Sequence, residues 1–327
     1  MPWRETPAEL ARARAEIPVK VPAADGELFG IYTPPDPAAP AAGLCVIHLT
    51  RPRSHRNRNW VEAARRLATH GFSAFRFDYH GTGDSGGVAA FLDPRDPYRT
   101  DVIAAIRFLR DRFEVRRFVL TGSCFDARTA LSAFPDEGEA IDGLAFIAAP
   151  VMSLEHMRAL HDSNKDWRHL LRALHNRDNW RSLGDPERWR QMAQVVSRVA
   201  RRPKDAAPAG AGEPAAAEPE LDPGFRRDFE ALVRSRARAL FLYGEGDVEF
   251  RTFQPVLRDL WPALPDETRA RFEVEVWPGE VHGGFLEMTR QRLILQRVLD
   301  WVLGLHPDVS GHPSEVHRPA EGAWTSA

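Results

Sequence analysis

The sequence has little of several features that mark specialised classes of protein. It contains two distant cysteines, Cys45 and Cys124, and the only lysines are Lys20, Lys165 and Lys204. Two cysteines exclude a disulfide-rich secreted scaffold. The 44 basic residues, mostly arginine as in GC-rich bacterial coding, face 46 acidic ones, so the formal net charge is -2. With no global positive field, we expect neither nucleic acid nor a membrane as a partner.

Long apolar runs are also lacking. A membrane-spanning helix needs about 20 mostly apolar residues, and the best runs, LCVIHL and GLAFIAAP, fit buried strands instead. The beginning of the chain, MPWRETPAELARARAEIP, lacks the apolar centre of a secretion signal. Together with the scarcity of cysteine, this predicts a cytoplasmic protein.

From position 43 onward, short apolar runs alternate with amphipathic stretches. This pattern predicts an α/β fold in which helices flank a mostly parallel central sheet. An antiparallel hairpin of Val19–Val21 and Leu28–Tyr32 is expected at the sheet edge. The predicted parallel strands are Leu44–Leu49, Ser73–Phe77, Arg117–Thr121, Leu144–Ala148, Ala239–Tyr243 and Phe272–Trp277, and helices are expected at Trp60–His70, Thr100–Phe113 and Arg290–Leu303.

The alternation stops in the middle of the chain. Residues 1–150 are predicted to form the N-terminal part of the core and residues 238–306 its C-terminal part. Residues 151–237 have helical periodicity and are expected to form a lid across the carboxyl edge of the sheet, where open α/β folds bind ligands. The linker 203–223 and the tail 307–327 lack apolar bulk and are predicted to be disordered.

The stretch RFVLTGSCFDARTAL, residues 117–131, reads as a strand, a turn and a helix. Cys124 holds the tip of the turn, where a side chain points out of the sheet edge and is surrounded by helix N–H groups. A partner imidazole and the helix N-terminus would make it a thiolate nucleophile. The alternative is a small buried cysteine.

Two later loops supply the other members of a nucleophilic set. Asp247 follows the strand Ala239–Tyr243, and His282 follows the strand Phe272–Trp277. Loops after parallel strands emerge at the same sheet edge, so we expect both side chains near Cys124. The chain order is then nucleophile, acid, base.

With these residues the chain resembles the α/β-hydrolase superfamily, over roughly residues 28–305 apart from the lid and linker. The family's elbow, Gly-x-Ser-x-Gly, is matched by GSCFD at residues 122–126, with Cys124 in place of serine and Asp126 in place of the second glycine. Its Asp-x-x-Gly-x-Gly-x-Ser loop is matched by DYHGTGDS at residues 78–85. The resemblance implies an α/β-hydrolase fold with a helical lid, with Asp247 as the acid and His282 as the base.

An oxyanion hole is expected from the N–H of Phe125 and from an N–H near Leu49 or Thr50. The family has His-Gly in the second region, whereas this chain has His48-Leu49. Asp126 beside the nucleophile is either an inert carboxylate at a helix start or an auxiliary proton-handling group.

The loop that follows, residues 51–58, contains four arginines and is expected to lie beside the site. Arg51, Arg53 and Arg56 either form a solvated face or contact a substrate anion. The run GTGDSG, residues 81–86, also fits a dinucleotide-binding pattern, but the prolines that follow do not open the required helix. We expect no cofactor, and without a paired-cysteine or His-Glu-x-x-His motif we expect no metal.

Three functions remain open at this point. The first is an acyl hydrolase or acyltransferase, such as a thioesterase, acting on a small-molecule or carrier-bound ester or thioester through acyl-Cys124. The second is a biosynthetic lyase or cyclase in which His282 removes a carbon-bound proton and a carboxylate leaves. The third is a non-catalytic binding protein. The acyl chain, the acceptor and the oligomeric state are not predicted.

Overall fold

The computed structural model describes residues 16–88, 98–152 and 221–306, except residues 25 and 40. These ranges contain the strands β1 (Ile17–Ala23), β2 (Gly26–Thr33), β3 (Leu44–Leu49), β4 (Ser73–Phe77), β5 (Arg117–Ser123), β6 (Ile141–Ile147), β7 (Arg238–Gly244) and β8 (Phe272–Trp277). They form one sheet in the order β1-β2-β4-β3-β5-β6-β7-β8. β3 to β8 pair in parallel, whereas β2 pairs antiparallel with β1 and β4. The predicted α/β architecture with an antiparallel edge hairpin is confirmed.

Helices connect most of the parallel strands. Those in the described ranges are α1 (Asn59–Thr69), α2 (Arg99–Phe113), α3 (Phe125–Ser132), α4 (Phe134–Glu137), α5 (Pro223–Arg234), α6 (Val248–Pro255), α7 (Asp266–Arg269) and α8 (Met288–Gly304). Short 3-10 or π turns lie at Arg56–Arg58, Gly138–Ala140, Val256–Leu260, Trp261–Ala263 and Gly283–Leu286. No helix within the described ranges has the length and hydropathy to cross a membrane.

One face of the sheet is covered by α1 and α8. α1 buries Trp60, Ala63, Ala64 and Leu67, a spacing of three and four residues that places them on one side of the helix. These side chains share a hydrophobic core with alternate residues of the strands and with α8, including Val46, Val119, Leu240, Ile294 and Val298.

The opposite face is packed against α5. The ring centroid of Phe225 lies 6.3 Å from that of Phe146 on β6, and that of Phe229 lies 6.3 Å from that of Phe241 on β7. All six residues of the central strand β3 are buried, which explains why its sequence is a continuous apolar run, whereas the edge strand β8 fully buries only Phe272.

The chain divides into two units, residues 152–220 forming one and the remainder the other. The second segment of the first unit begins at residue 221, whereas the sequence predicts that the lid ends at residue 237. The difference arises because α5 packs on the sheet. The predicted lid helices, most of the linker 203–223 and the tail 307–327 lie outside the described residues.

A buried ion pair joins α5 to α3. Asp222 caps α5 by accepting a hydrogen bond of 2.9 Å from the N–H of Phe225, and the same oxygen accepts one of 2.9 Å from Arg128. Both charged side chains are 1% exposed. Because an unpaired charge is very costly at this depth, the pair fixes the position of α3, which begins directly after Cys124.

Candidate active site

Cys124 lies between the end of β5 and the start of α3, as predicted for the elbow. Its backbone has φ 55 and ψ −128, a conformation that non-glycine residues rarely adopt. Its N–H donates a hydrogen bond of 2.8 Å to the carbonyl of Ile147, which ties the turn to β6. A Cβ on Gly122 would lie 2.6 Å from the backbone nitrogen of Ala127, so the turn requires glycine there. Strain of this kind costs about 1–3 kcal/mol and is common at functional sites.

The two cysteines occupy different environments. Cys45 is fully buried in β3, and burial raises the pKa of its thiol to about 12. Cys124 is partly exposed. Only Cys124 therefore combines access to solvent with a polar neighbourhood.

His282 follows β8 and contacts both Cys124 and an acid. Its Nδ1 lies 2.9 Å from Oε1 of Glu249, whose side chain is only 3% exposed in the first turn of α6. The sulfur of Cys124, a carboxylate oxygen of Glu249 and a ring nitrogen of His282 all lie within 4.8 Å of one another. The imidazole thus joins the thiol to a buried carboxylate.

The acid on the imidazole is not the one that the sequence pattern favoured. The buried carboxylate of Asp247 instead accepts backbone hydrogen bonds from the N–H groups of Gly244 at 2.7 Å, Val281 at 3.1 Å and His282 at 3.0 Å. It therefore joins the loop after β7 to the loop after β8 and fixes the backbone of His282. In the structure Glu249, and not the predicted Asp247, contacts the imidazole, because both oxygens of Asp247 are engaged with backbone N–H groups.

The sequence gives only a weak indication of Glu249. It lies two residues after Asp247, within the same loop and helix start, so the stretch Asp247-Val248-Glu249 offered two candidate acids. The resemblance favoured the first. Both are 2% exposed, so what separates them is the contact each carboxylate makes: Asp247 with backbone N–H groups and Glu249 with Nδ1 of His282.

The environment of the site shifts the pKa values of His282 and Asp247. The hydrogen bond between the imidazole and Cys124, and then the one that the imidazole donates to Glu249, raise the pKa of His282 to about 11, against the opposing effect of burial. Burial raises the pKa of Asp247, although its backbone hydrogen bonds act in the opposite direction. The raised pKa favours the imidazolium form of His282.

The expected oxyanion donors lie beside this set. Phe125 is the first residue of α3, where N–H groups have no acceptor within the helix. Leu49, the last residue of β3, is the sheet partner of Gly122. Leu49 and Thr50 are both buried. The ends of β3 and β5 are thus adjacent, as an oxyanion hole made from both requires.

The arginine loop is engaged in ion pairs. Nε of Arg51 lies 3.2 Å from Oδ1 of Asp126. Arg53 pairs with Asp78 and lies 2.7 Å from Asp84. Substrate-anion binding by Arg53 is therefore disfavoured, since two carboxylates already neutralise it. The side chain of Arg56 lies outside the described part of the structure.

The loop DYHGTGDS supports this region rather than supplying chemistry. Asp78 accepts a hydrogen bond of 2.8 Å from the N–H of Arg53. The hydroxyl of Ser85 accepts one of 2.8 Å from the N–H of Phe29. Gly83 has φ 54, and a Cβ there would clash with the carboxylate of Asp78. The motif thus links β2, β4 and the loop after β3.

Cys124, Glu249 and His282 are also residue types that bind metals. One nitrogen of His282 already faces Glu249 at 2.9 Å, and the ring is also hydrogen-bonded to Cys124. An imidazole that joins two groups is suited to relay a proton, whereas a metal would need all three ligand atoms directed at one point. The arrangement therefore fits acid–base chemistry better than metal binding.

Comparisons with known proteins agree with this architecture. A family model described as serine aminopeptidase, S33, matches residues 45–204. That stretch includes Cys124 but ends before Glu249 and His282. No curated protein matches the sequence significantly.

Solved structures match over most of the chain. A carboxyl esterase from Bacillus coagulans aligns with a TM-score of 0.55 at 12% identity, covering 89% of this chain and 99% of its own. An esterase from Pyrococcus furiosus aligns at 0.54 and 13% identity, covering 92% and 95%. The chain has the α/β-hydrolase fold. An α/β serine hydrolase without a lid from Xanthomonas campestris, at 0.50 and 15% identity over 89% and 94%, has the same architecture.

Proposed function

We propose that this α/β-hydrolase-fold protein is an acyl hydrolase or acyltransferase that acts on an ester or thioester through an acyl-Cys124 intermediate. The observation that carries the proposal is the position of His282, in contact with Cys124 and 2.9 Å from the buried Glu249. Cys124 is then the nucleophile, His282 the acid and base, and Glu249 the residue that orients His282. Asp247 is a positioning residue for the His282 backbone.

Acylation begins with attack of the Cys124 thiolate on the carbonyl carbon. The new C–S bond gives a tetrahedral oxyanion beside the N–H of Phe125. Collapse breaks the bond to the leaving alcohol or thiol, which takes its proton from the imidazolium of His282. The acyl enzyme then carries a neutral imidazole and no thiolate.

This change converts His282 from an acid into a base. The largest cause of its raised pKa is the hydrogen bond to Cys124, and acylation removes the charge of that sulfur. The pKa of the imidazole then falls, so His282 can take a proton from water or from an acceptor hydroxyl or thiol. Attack of that nucleophile breaks the C–S bond and restores the thiolate and imidazolium.

An acyl-cysteine intermediate favours activated acyl substrates, such as thioesters, and transfer of the acyl group to an acceptor. It is itself a thioester, which passes its acyl group readily to an acceptor if water is kept out. Small-molecule and carrier-bound thioesters are therefore the first substrates to test.

The test is intact-protein mass spectrometry after incubation with short and medium acyl thioesters and activated esters. We expect a gain of one acyl group in the wild type and in Cys45→Ala, the matched control, but not in Cys124→Ala. Cys124→Ser should retain partial turnover, because His282 can still activate a hydroxyl. Turnover that survives Cys124→Ala but is lost in His282→Ala would overturn the proposal in favour of proton abstraction by a lyase.

A further inference from the structure

An ion pair connects the two segments that are expected to form the oxyanion hole. Arg51 follows Leu49 and Thr50 at the end of β3, and Asp126 follows Phe125 in the first turn of α3. Nε of Arg51 donates a hydrogen bond of 3.2 Å to Oδ1 of Asp126. Each partner is thus one residue beyond a candidate oxyanion donor, and their contact spans the gap between the donors.

We propose that Arg51 and Asp126 are positioning residues that hold these two backbone segments at the separation needed to bind an oxyanion. The inference rests on the proposed acyl chemistry. It assigns a role to Asp126, the residue by which this elbow departs from the pattern Gly-x-Ser-x-Gly. Neither side chain reacts, and both act through the backbone N–H groups beside them.

Aromatic packing fixes the orientation of Arg51. Its guanidinium lies 6.0 Å from the ring centroid of Tyr79 and 5.9 Å from that of Tyr98. These two rings stack on each other at 4.6 Å with an interplanar angle of 11°. The side chains of Arg51 and Asp126 are 28% and 12% exposed. An arginine held against two rings is more rigid than a solvated one. The ion pair can therefore hold the loop after β3 at a fixed distance from α3.

The loop after β3 needs such a connection. His55, Asn57 and Arg58 all have positive φ, between 54 and 59, so the backbone that leaves β3 is strained rather than a regular continuation of the strand. Other contacts of this loop lead away from the elbow: Arg53 pairs with Asp78, and Asn57 donates a hydrogen bond of 2.9 Å to Gln291 on α8. The Arg51–Asp126 pair connects the loop to α3 itself.

A substrate-anion role for Arg51 makes different predictions. Arg51→Met would then raise KM for substrates that carry a carboxylate, whereas Asp126→Asn would leave Arg51 free to bind them. A positioning pair behaves as a unit. Either single substitution should then have the same effect as both together, with the loss in the acylation step and not in KM.

The experiment compares two reactions of Cys124 in the wild type, Arg51→Met, Asp126→Asn and the double variant. Acylation by an activated thioester passes through an oxyanion, whereas alkylation by iodoacetamide displaces iodide at a CH₂ group and does not. We expect each variant to acylate about 10- to 100-fold more slowly, since small displacements at reacting groups have effects of this size. Alkylation rates should stay within about twofold of the wild type, and Arg51→Lys should restore part of the acylation rate.

Three results would overturn the inference: acylation at the wild-type rate, equal losses in acylation and alkylation, or a rise in KM confined to Arg51→Met. Failure of the proposed function has a different signature. In that case Cys124 of the wild type would be alkylated but not acylated by any ester or thioester.

Discussion

Glu249→Gln tests which of two neighbouring acids serves His282. The substitution keeps the size of the side chain but removes the charge that faces Nδ1 at 2.9 Å. The matched variant is Asp247→Asn, which changes the acid that binds the backbone. Glu249→Gln should affect the imidazole and the acylation rate, whereas Asp247→Asn should affect mainly the stability of the fold.

The expected magnitudes follow from these contacts. A hydrogen bond to a charged group contributes about 1.5–3 kcal/mol, and one pKa unit corresponds to about 1.36 kcal/mol. Glu249→Gln should therefore lower the pKa of His282 from about 11 by roughly one to two units. Loss of the orienting carboxylate should slow acylation of Cys124 by about 10²- to 10⁴-fold.

Asp247→Asn should act mainly on stability. Oδ2 accepts from Gly244 and Oδ1 from His282, while Val281 lies within reach of both oxygens. An asparagine has one acceptor oxygen, so at least one buried N–H group loses its partner. We expect a loss of about 1–3 kcal/mol in the free energy of unfolding, or several degrees in Tm.

Three measurements separate the two acids: Tm by circular dichroism, the single-turnover acylation rate, and the pKa of the imidazole by NMR titration. Both variants should lower Tm, but only Glu249→Gln should also lower the imidazole pKa and slow acylation strongly, whereas Asp247→Asn should leave the imidazole pKa near that of the wild type. The reasoning is refuted if Asp247→Asn abolishes acylation at unchanged Tm while Glu249→Gln acylates normally.

Three other outcomes can be measured by unfolding. Arg128→Met leaves the 1%-exposed carboxylate of Asp222 without its partner, and should cost about 3–5 kcal/mol by chemical denaturation; an unchanged midpoint would contradict the ion-pair argument. Gly122→Ala should cost about 1–3 kcal/mol and prevent acylation, because its Cβ would lie 2.6 Å from the backbone nitrogen of Ala127, whereas Gly304→Ala, at the end of α8 with nothing within 4 Å, should be neutral or stabilise by up to about 1 kcal/mol. The pKa of His282, raised above its ordinary value of 6.5 to about 11, gives stabilisation that is complete below about pH 6.5 and is lost as the pH rises through 11. The Tm of the wild type should therefore fall more than that of Cys124→Ala over this range, and parallel curves would exclude the contribution.

The fold could be predicted because its signals are local and repeated. β3 and β8 have the predicted bounds, since each is an apolar run that ends at a turn residue. β6 begins at Ile141 rather than at the predicted Leu144, because Gly143 interrupts the apolar pattern although it continues the sheet ladder. The sequence pattern places α5 in the lid, because a helical period does not reveal which surface its phenylalanines meet, whereas the structure packs them against the sheet.

The site could be predicted only as far as the chain order of its loops. Strand ends place Cys124, His282 and the region around Asp247 at one sheet edge, and the structure brings these loops together. The choice between Asp247 and Glu249 depends on which carboxylate meets three backbone N–H groups and which meets a ring nitrogen, and neither contact has a sequence signature. The Arg51–Asp126 pair has no sequence signature either, because its partners are 75 residues apart.

Asp247 and Glu249 both position His282, the first through its backbone and the second through its side chain. Asp247 lies just outside α6 and accepts hydrogen bonds from both loops, which sets where His282 stands. Glu249, two residues later in the first turn, sets which way the ring points and holds its positive charge. A single carboxylate could not do both, because its oxygens would be shared between the N–H groups and Nδ1. In the proposed mechanism, separating the roles leaves Glu249 free to stabilise the imidazolium of His282, from which the leaving group takes its proton.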